Sequence, residues 1–262
     1  MGHIVAKDMY GALGDKIDNL TVRTPANDAF YAMLRELYSP DEAELIVKMP
    51  FTLSTLDRIV KITGLDQNQV EPMLEGLCEK GLVVDLHLDG AYRYMPAPFV
   101  IGIFEFTMMR MGSSDADVGK YAKLFVDYLA GGEFYAANFK DRQQVSVTRV
   151  LPHLDHLGDH VEILDYEKVD RVIDEAQYFS LSNCSCRHKK HHAGGEVCKV
   201  PLETCTSFGK AADYLVRRGM GRQISRAEVK DVAQRSKELK LVFSVDNLQN
   251  QPAFLCHCCG CC

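Results

Sequence analysis

No run of the chain reaches about 18 consecutive apolar residues, so no membrane-spanning helix is expected. Residues 1–20 mix charge with glycine and do not read as a signal peptide. A basic excess is also missing. Thirty lysines and arginines face 36 acids, for a formal net charge of −6. That balance argues against a dedicated nucleic-acid binder. There is no nucleophile–base pair at a recognisable spacing, no glycine-rich phosphate loop and no dinucleotide fingerprint. Gly11 and Gly14 are too sparse to count as one, so no catalytic residue is assigned. Cysteine is nearly absent from the first two thirds: Cys78 alone precedes residue 184.

What is present is enough apolar sequence for real cores, 47% of 262 residues. At roughly 100–200 residues per domain this predicts two domains. With no leader and no span, the chain is expected in the cytoplasm. In that reducing compartment clustered cysteines hold metal more often than they form structural disulfides.

Residues 1–27 read as an N-terminal extension without regular pattern, broken by Gly11, Gly14 and Pro25. Residues 28–38 read as a helix. Ser39-Pro40-Asp41-Glu42 is a helix start with a serine cap, proline at the first position and an acid at the third. A further helix carries Leu56, Ile59, Val60 and Ile62 and stops at Gly64. Another carries Val70, Met73, Leu74, Leu77 and Cys78 at helical spacing and stops at Gly81. Pro72 is awkward there unless it falls in the first turn. Alternation around Asp89-Gly90 reads as a β-hairpin over 82–94. Three short helices and a hairpin are the winged-helix arrangement, assigned to 28–100. Residues 101–150 read as a helical connector with a helix near 115–130 ended by Gly131-Gly132.

Residues 151–262 read as a mixed α/β cysteine-rich domain, so the predicted class is α+β. Strands are expected near 145–151, 161–164, 178–182 and 241–245. Helices are expected from Asp165, over 211–218, and from a capping box at Ser225 and Glu228. His153, His156 and His160 recur at helical spacing with Asp155 and Asp159 between them. A polar turn is the plainer reading, a second metal site the alternative.

Nine of the ten cysteines fall here: Cys184, Cys186, Cys198, Cys205, Cys256, Cys258, Cys259, Cys261 and Cys262. Neighbouring side chains diverge along an extended chain, so adjacent cysteines cannot all face one centre. Nine thiols supply two four-thiolate centres with one left over. Thiolates suit zinc, iron–sulfur clusters and copper(I) alike. Structural zinc favours paired C-x₂₋₄-C knuckles, and the first group here is C-x-C with long irregular gaps, which fits a cluster better. All nine are therefore candidate cofactor and metal ligands, for one or two [4Fe–4S] clusters with zinc as the alternative. Arg187-His188-Lys189-Lys190-His191-His192 reads as a solvated basic loop. Its charge would raise a nearby cluster's potential and steer an acidic partner. Gly194-Gly195 and Gly260 give both cysteine segments freedom to fold back. Cys78 reads as a buried small hydrophobe.

Cys184-Ser185-Cys186-Arg187, Cys198, Pro201-Leu202-Glu203-Thr204-Cys205, Gly219-x-Gly221-Arg222 and the tail Cys256–Cys262 together resemble a family of 4Fe–4S ferredoxin-type proteins of anaerobic bacteria and archaea. The resemblance is strong over roughly the last 110 residues and looser over the winged-helix part. It implies iron–sulfur binding and electron transfer, with the matching cysteines as ligands. Members often continue into a two-cluster ferredoxin domain. This chain stops at Cys262, which implies a truncated chain or onward transfer through a redox partner protein.

The expected function is thus an electron carrier or a subunit of an oxidoreductase. The alternatives are a cluster-sensing winged-helix transcription regulator and a zinc-stabilised interaction protein. Residues 41–100 carry ten acids against five bases, and the last helix before the hairpin carries Glu71, Glu75 and Glu79. An acidic face opposes phosphate. The module is therefore read as an interaction unit, with a homodimer as one form of it.

Overall fold

A computed structural model describes residues 2–110, 115–139, 147–153, 168–194, 198–248 and 250–261. The chain is α+β, with helices and two antiparallel sheets. It divides into two units. The first takes in residues up to 108 and the described residues 115–139; the second takes in 109–110 and the described residues from 147 onward. Among the described residues no helix is long and apolar enough to cross a membrane.

The first unit opens with helix α1 (Gly2–Asp18), where the sequence reading expected no regular structure. Leu13 and Ile17, four residues apart, are fully buried. Their burial against α2 (Asp28–Leu37) and α3 (Pro40–Lys48) outweighs the cost of two helical glycines. Gly14 is a close-approach residue rather than a breaker: a Cβ there would lie 3.3 Å from the Tyr31 ring.

The caps follow the local chemistry. Asn27 caps α2, accepting from the Phe30 N–H. Ser39 and Glu42 form a reciprocal capping box on α3. Thr55 caps α4 (Leu56–Thr63) and Asp66 caps α5 (Gln67–Lys80). Gly64 and Gly81 close these two helices with φ of 69° and 75°, the left-handed region that glycine enters without a Cβ clash. Pro72 falls in the second turn of α5, not the first, and the helix runs through it. Cys78 is fully buried.

Strands β1 (Val83–Leu88) and β2 (Ala91–Pro96) pair antiparallel, with Leu88 opposite Ala91. Asp89 and Gly90 turn the hairpin with φ of 51° and 79°. Ser54 bridges to Tyr94 beside it. Three more helices, α6 (Phe104–Met109), α7 (Asp115–Ala130) and α8 (Glu133–Phe139), follow. Phe99 stands edge-on to Phe30, Tyr128 and Phe134, with ring centroids 5.0–6.0 Å apart. These rings tie α7 and α8 to α2, so the segment read as a connector is part of this unit's core.

The second unit is built on a six-stranded antiparallel sheet in the order β3-β7-β8-β5-β4-β6. Its elements in chain order begin with β3 (Thr148–Leu151), α9 (Val169–Glu175), β4 (Phe179–Asn183), α10 (Ser185–His192) and β5 (Glu203–Phe208). They continue with α11 (Gly209–Arg217), β6 (Arg222–Gln223), α12 (Arg226–Glu238), β7 (Val242–Asp246) and β8 (Phe254–Cys258). The strands expected at 161–164, the cap at Asp165 and the start of the strand at 145 lie outside the described residues.

Strand alternation gives this sheet two unlike faces. Leu151, Phe179, Leu181, Phe208, Phe243, Val245 and Leu255 form an apolar core with Val169, Val172 and Ile173 of α9 and Val229 and Val232 of α12. The opposite positions are Ser180, Ser182, Cys205, Ser207, Cys256 and Cys258. Ser225 caps α12 by accepting from the Glu228 N–H. The Glu228 carboxylate binds Arg222 Nη2 at 2.6 Å.

Candidate metal centre

The cysteines converge because two strand ends and a helix start meet at one end of the sheet. Thr206 pairs with Leu255, so the antiparallel register sets Cys205 beside Cys256. Cys256 and Cys258, two residues apart on β8, share a face. Leu255 and His257 point the other way, into the core. Cys184 follows β4 directly and is the N-cap of α10; its N–H donates to the Leu202 carbonyl at 2.8 Å.

Among the described residues every cysteine is a free thiol. They form two groups. In the first, the Cys256 thiol donates to Cys205 and accepts from Cys258, and the Cys186 thiol bonds to Cys184. Cys184 in turn lies within electrostatic reach of Cys256 and Cys258. In the second group the Sγ atoms of Cys198, Cys259 and Cys261 lie 3.1–3.6 Å apart. All three fall within 4.8 Å of one another, the one such compact set among the described residues. So a cysteine group stands close enough to bind a metal. Cys262 lies outside the described residues.

The charges are laid out unevenly. The Cys184 thiol is pulled down to about 6, first by the Cys186 hydrogen bond, against burial, and then by the N–H groups and charge of Arg187. A cap position at a helix N-terminus favours a thiolate. Cys256 and Cys258 are pushed well above the ordinary thiol range. Cys256 donates to Cys205 and Cys258 donates to Cys256, and burial and neighbouring thiols add to both. The surroundings thus favour the thiolate at Cys184 and the protonated form of the β8 thiols. Deprotonation of the β8 thiols needs a cation beside them.

The segment from 187 to 192 is not the solvated loop the sequence suggested. It is most of helix α10, and Arg187 is fully buried. Its Nη1 donates to the Pro201 carbonyl at 3.0 Å and to Thr204 Oγ1, and its Nη2 donates to the His257 carbonyl. Lys190 Nζ donates to the Cys261 carbonyl. His191 Nε2 lies 3.3 Å from the Cys198 carbonyl.

His257 is 2% exposed, with Nδ1 2.7 Å from Ser236 Oγ and Nε2 3.3 Å from Thr206 Oγ1. Burial, and then the charge of Arg187, lower it to about 3, so it is a neutral strut between two cysteines. Sequence reasoning missed Arg187 and His257 as buried parts of the site. The signal for His257 was its place between two cysteines on an alternating strand. His153 stacks on Phe243 at 4.7 Å and bonds the Leu241 carbonyl at 2.8 Å, and among the described residues no metal-ligand group includes it. His156 and His160 lie outside the described residues.

Gly221 backs the site. A Cβ there would come within 2.5 Å of Ser182 Oγ and 3.1 Å of the Leu181 carbonyl, so only glycine lets this chain pass behind β4. Compared with models of protein families, with curated proteins and with solved structures, the chain matches none, and the resemblance drawn from its cysteine motifs rests on those motifs alone.

Proposed function

We propose that the second unit is an iron–sulfur protein that carries single electrons, alone or as a subunit of an oxidoreductase, and passes them to a redox partner protein. The observation that carries this reading is the gathering of eight described thiols, none in a disulfide, into two groups at one end of a sheet. Cys184, Cys186, Cys205, Cys256 and Cys258 are the ligand pool of one centre. Cys198, Cys259 and Cys261 are that of the other, with Cys262 as a further candidate. A bound cluster supplies one-electron transfer. The chain supplies the thiolates, the buried Arg187 charge beside them and the basic α10, whose Lys189 and Lys190 suit an acidic partner. The winged-helix-like first unit is proposed as a protein-interaction or dimerisation module, since its acidic balance opposes DNA.

One observation favours a second reading for the compact triple. Metal–sulfur bonds of about 2.3 Å put the sulfurs of a tetrahedral site about 3.8 Å apart. The 3.1–3.6 Å separations of Cys198, Cys259 and Cys261 are close to that edge, so a single zinc ion suits them.

Iron, acid-labile sulfide and zinc content of anaerobically purified full chain, with EPR of the reduced protein, test both readings. Iron and sulfide together support the electron carrier. Zinc alone, in colourless protein, overturns it.

A further inference from the structure

Arg187 is among the largest side chains that are wholly buried here. Its guanidinium donates to the Pro201 and His257 carbonyls and to Thr204 Oγ1, and it is hydrogen-bonded to Cys259 as well. No carboxylate among the described residues is paired with it. A buried cation without a counter-ion is strongly unfavourable. The groups that answer its charge are thiols, and they come from both sets: Cys184 from one, Cys198 and Cys259 from the other. Its Nε–H is buried and finds no acceptor among the described residues. A buried donor left open calls for an acceptor from outside the chain, and a sulfur of a filled centre is one.

We infer that Arg187 is a positioning residue shared by both thiolate groups, a buried cation whose charge lets each hold an anionic metal–thiolate centre. This rests on the reading of the two groups as metal centres, but not on which metal fills them. Two anionic centres close together repel. A guanidinium within electrostatic reach of both offsets both, and its bonds to the Pro201 and His257 carbonyls and Thr204 Oγ1 hold it in place. Lys189 and Lys190 cannot take this place. Lys190 reaches the Cys261 carbonyl at the surface, where water screens its charge.

The test is an anaerobic cobalt(II) titration of the reduced, metal-free full chain, followed by sulfur-to-cobalt charge-transfer absorption. Wild type is expected to bind cobalt in two events. Arg187→Met is expected to weaken both by about tenfold or more, the scale seen when groups behind the ligands are removed. Arg187→Lys keeps the charge and loses the fork, and should restore most of the affinity at both. Thr204→Val removes one of the bonds that hold the guanidinium and should weaken both events, by less than Arg187→Met does. The inference is overturned if wild type binds no cobalt or only one equivalent. It is also overturned if Arg187→Met spares either event, or if Arg187→Lys is as weak as Arg187→Met. Should Arg187→Met fail to fold by circular dichroism, the Arg187→Lys and Thr204→Val results decide. Iron and sulfide content of the wild type is read separately. Its absence would sink the iron–sulfur reading and leave the cobalt result standing.

Discussion

The Arg187 guanidinium donates to the backbone carbonyl of His257, the residue that separates Cys256 from Cys258. This bond joins helix α10, which starts at Cys184, to strand β8, which carries the tail cysteines. The two cysteine segments are therefore joined through a side chain that is not itself a thiol. Ligand positions that far apart in sequence stay in place only if something behind them is rigid.

Ligand substitutions should separate the two centres. Cys205→Ser and Cys256→Ser remove thiols from one group, Cys198→Ser and Cys261→Ser from the other. Each is expected to lose one centre's metal and retain the other's. Metal analysis of the four variants checks this; uniform loss of all metal from every variant would argue for a single shared centre.

Thiol reactivity in the metal-free, reduced chain should be ordered by position. Cys184, held near 6, is a thiolate at neutral pH. Its alkylation rate should rise through about pH 6, well below the ordinary thiol range. Cys256 and Cys258, whose thiols are pushed up, should stay slow. Mass spectrometry of peptides after a short iodoacetamide pulse resolves the three.

His257 sets an acid limit. Unfolded, it takes a proton below about 6.5; folded, it takes none until about 3. Between those values the unfolded state holds more protons, so stability falls as the pH drops, by up to about 1.4 kcal/mol per pH unit. His257→Asn should unfold more easily at neutral pH but lose part of that slope. Urea midpoints at several pH values between 4 and 7 provide the comparison.

Gly221→Ala should destabilise the second unit by about 1–3 kcal/mol, because its methyl group meets Ser182 and the Leu181 backbone. Since β4 leads into Cys184, metal affinity should fall with it. A variant with an unchanged thermal midpoint would show that the close approach costs nothing.

In the first unit, Glu42 completes the α3 capping box and also binds Lys80 Nζ at 2.7 Å. Glu42→Ala is expected to cost about 1–2 kcal/mol, the sum of a cap and a surface pair. Lys80→Ala, which spares the cap, should cost less. Denaturant unfolding of both variants gives the ranking.

Local signals were sufficient for the helix caps at Ser39 and Ser225, the stops at Gly64 and Gly81 and the Asp89-Gly90 turn. Each depends on contacts within a few residues. The concentration of thiols beyond residue 184, and the reading of Cys78 as core, also came from sequence. Helix α1 was missed because Gly11 and Gly14 count against a helix locally, while Leu13 and Ile17 are rewarded only once α2 and α3 cover them. His153 was read as part of a polar turn, with a metal site as the alternative; its stacking on Phe243 was not legible from local spacing.

By itself the sequence determined which atoms are on offer: nine thiols from residue 184 onward, Arg187 beside the first two, and an acidic excess over residues 41–100. Only the tertiary structure decided how they divide. Cys205 meets Cys256 through the β5–β8 register, and Cys198 meets Cys259 and Cys261 across some sixty residues of chain. It also turned a basic run into a helix that buries Arg187. Spacing along a chain says what can be reached. Strand pairing and burial, which sum interactions from distant residues, choose what is touched.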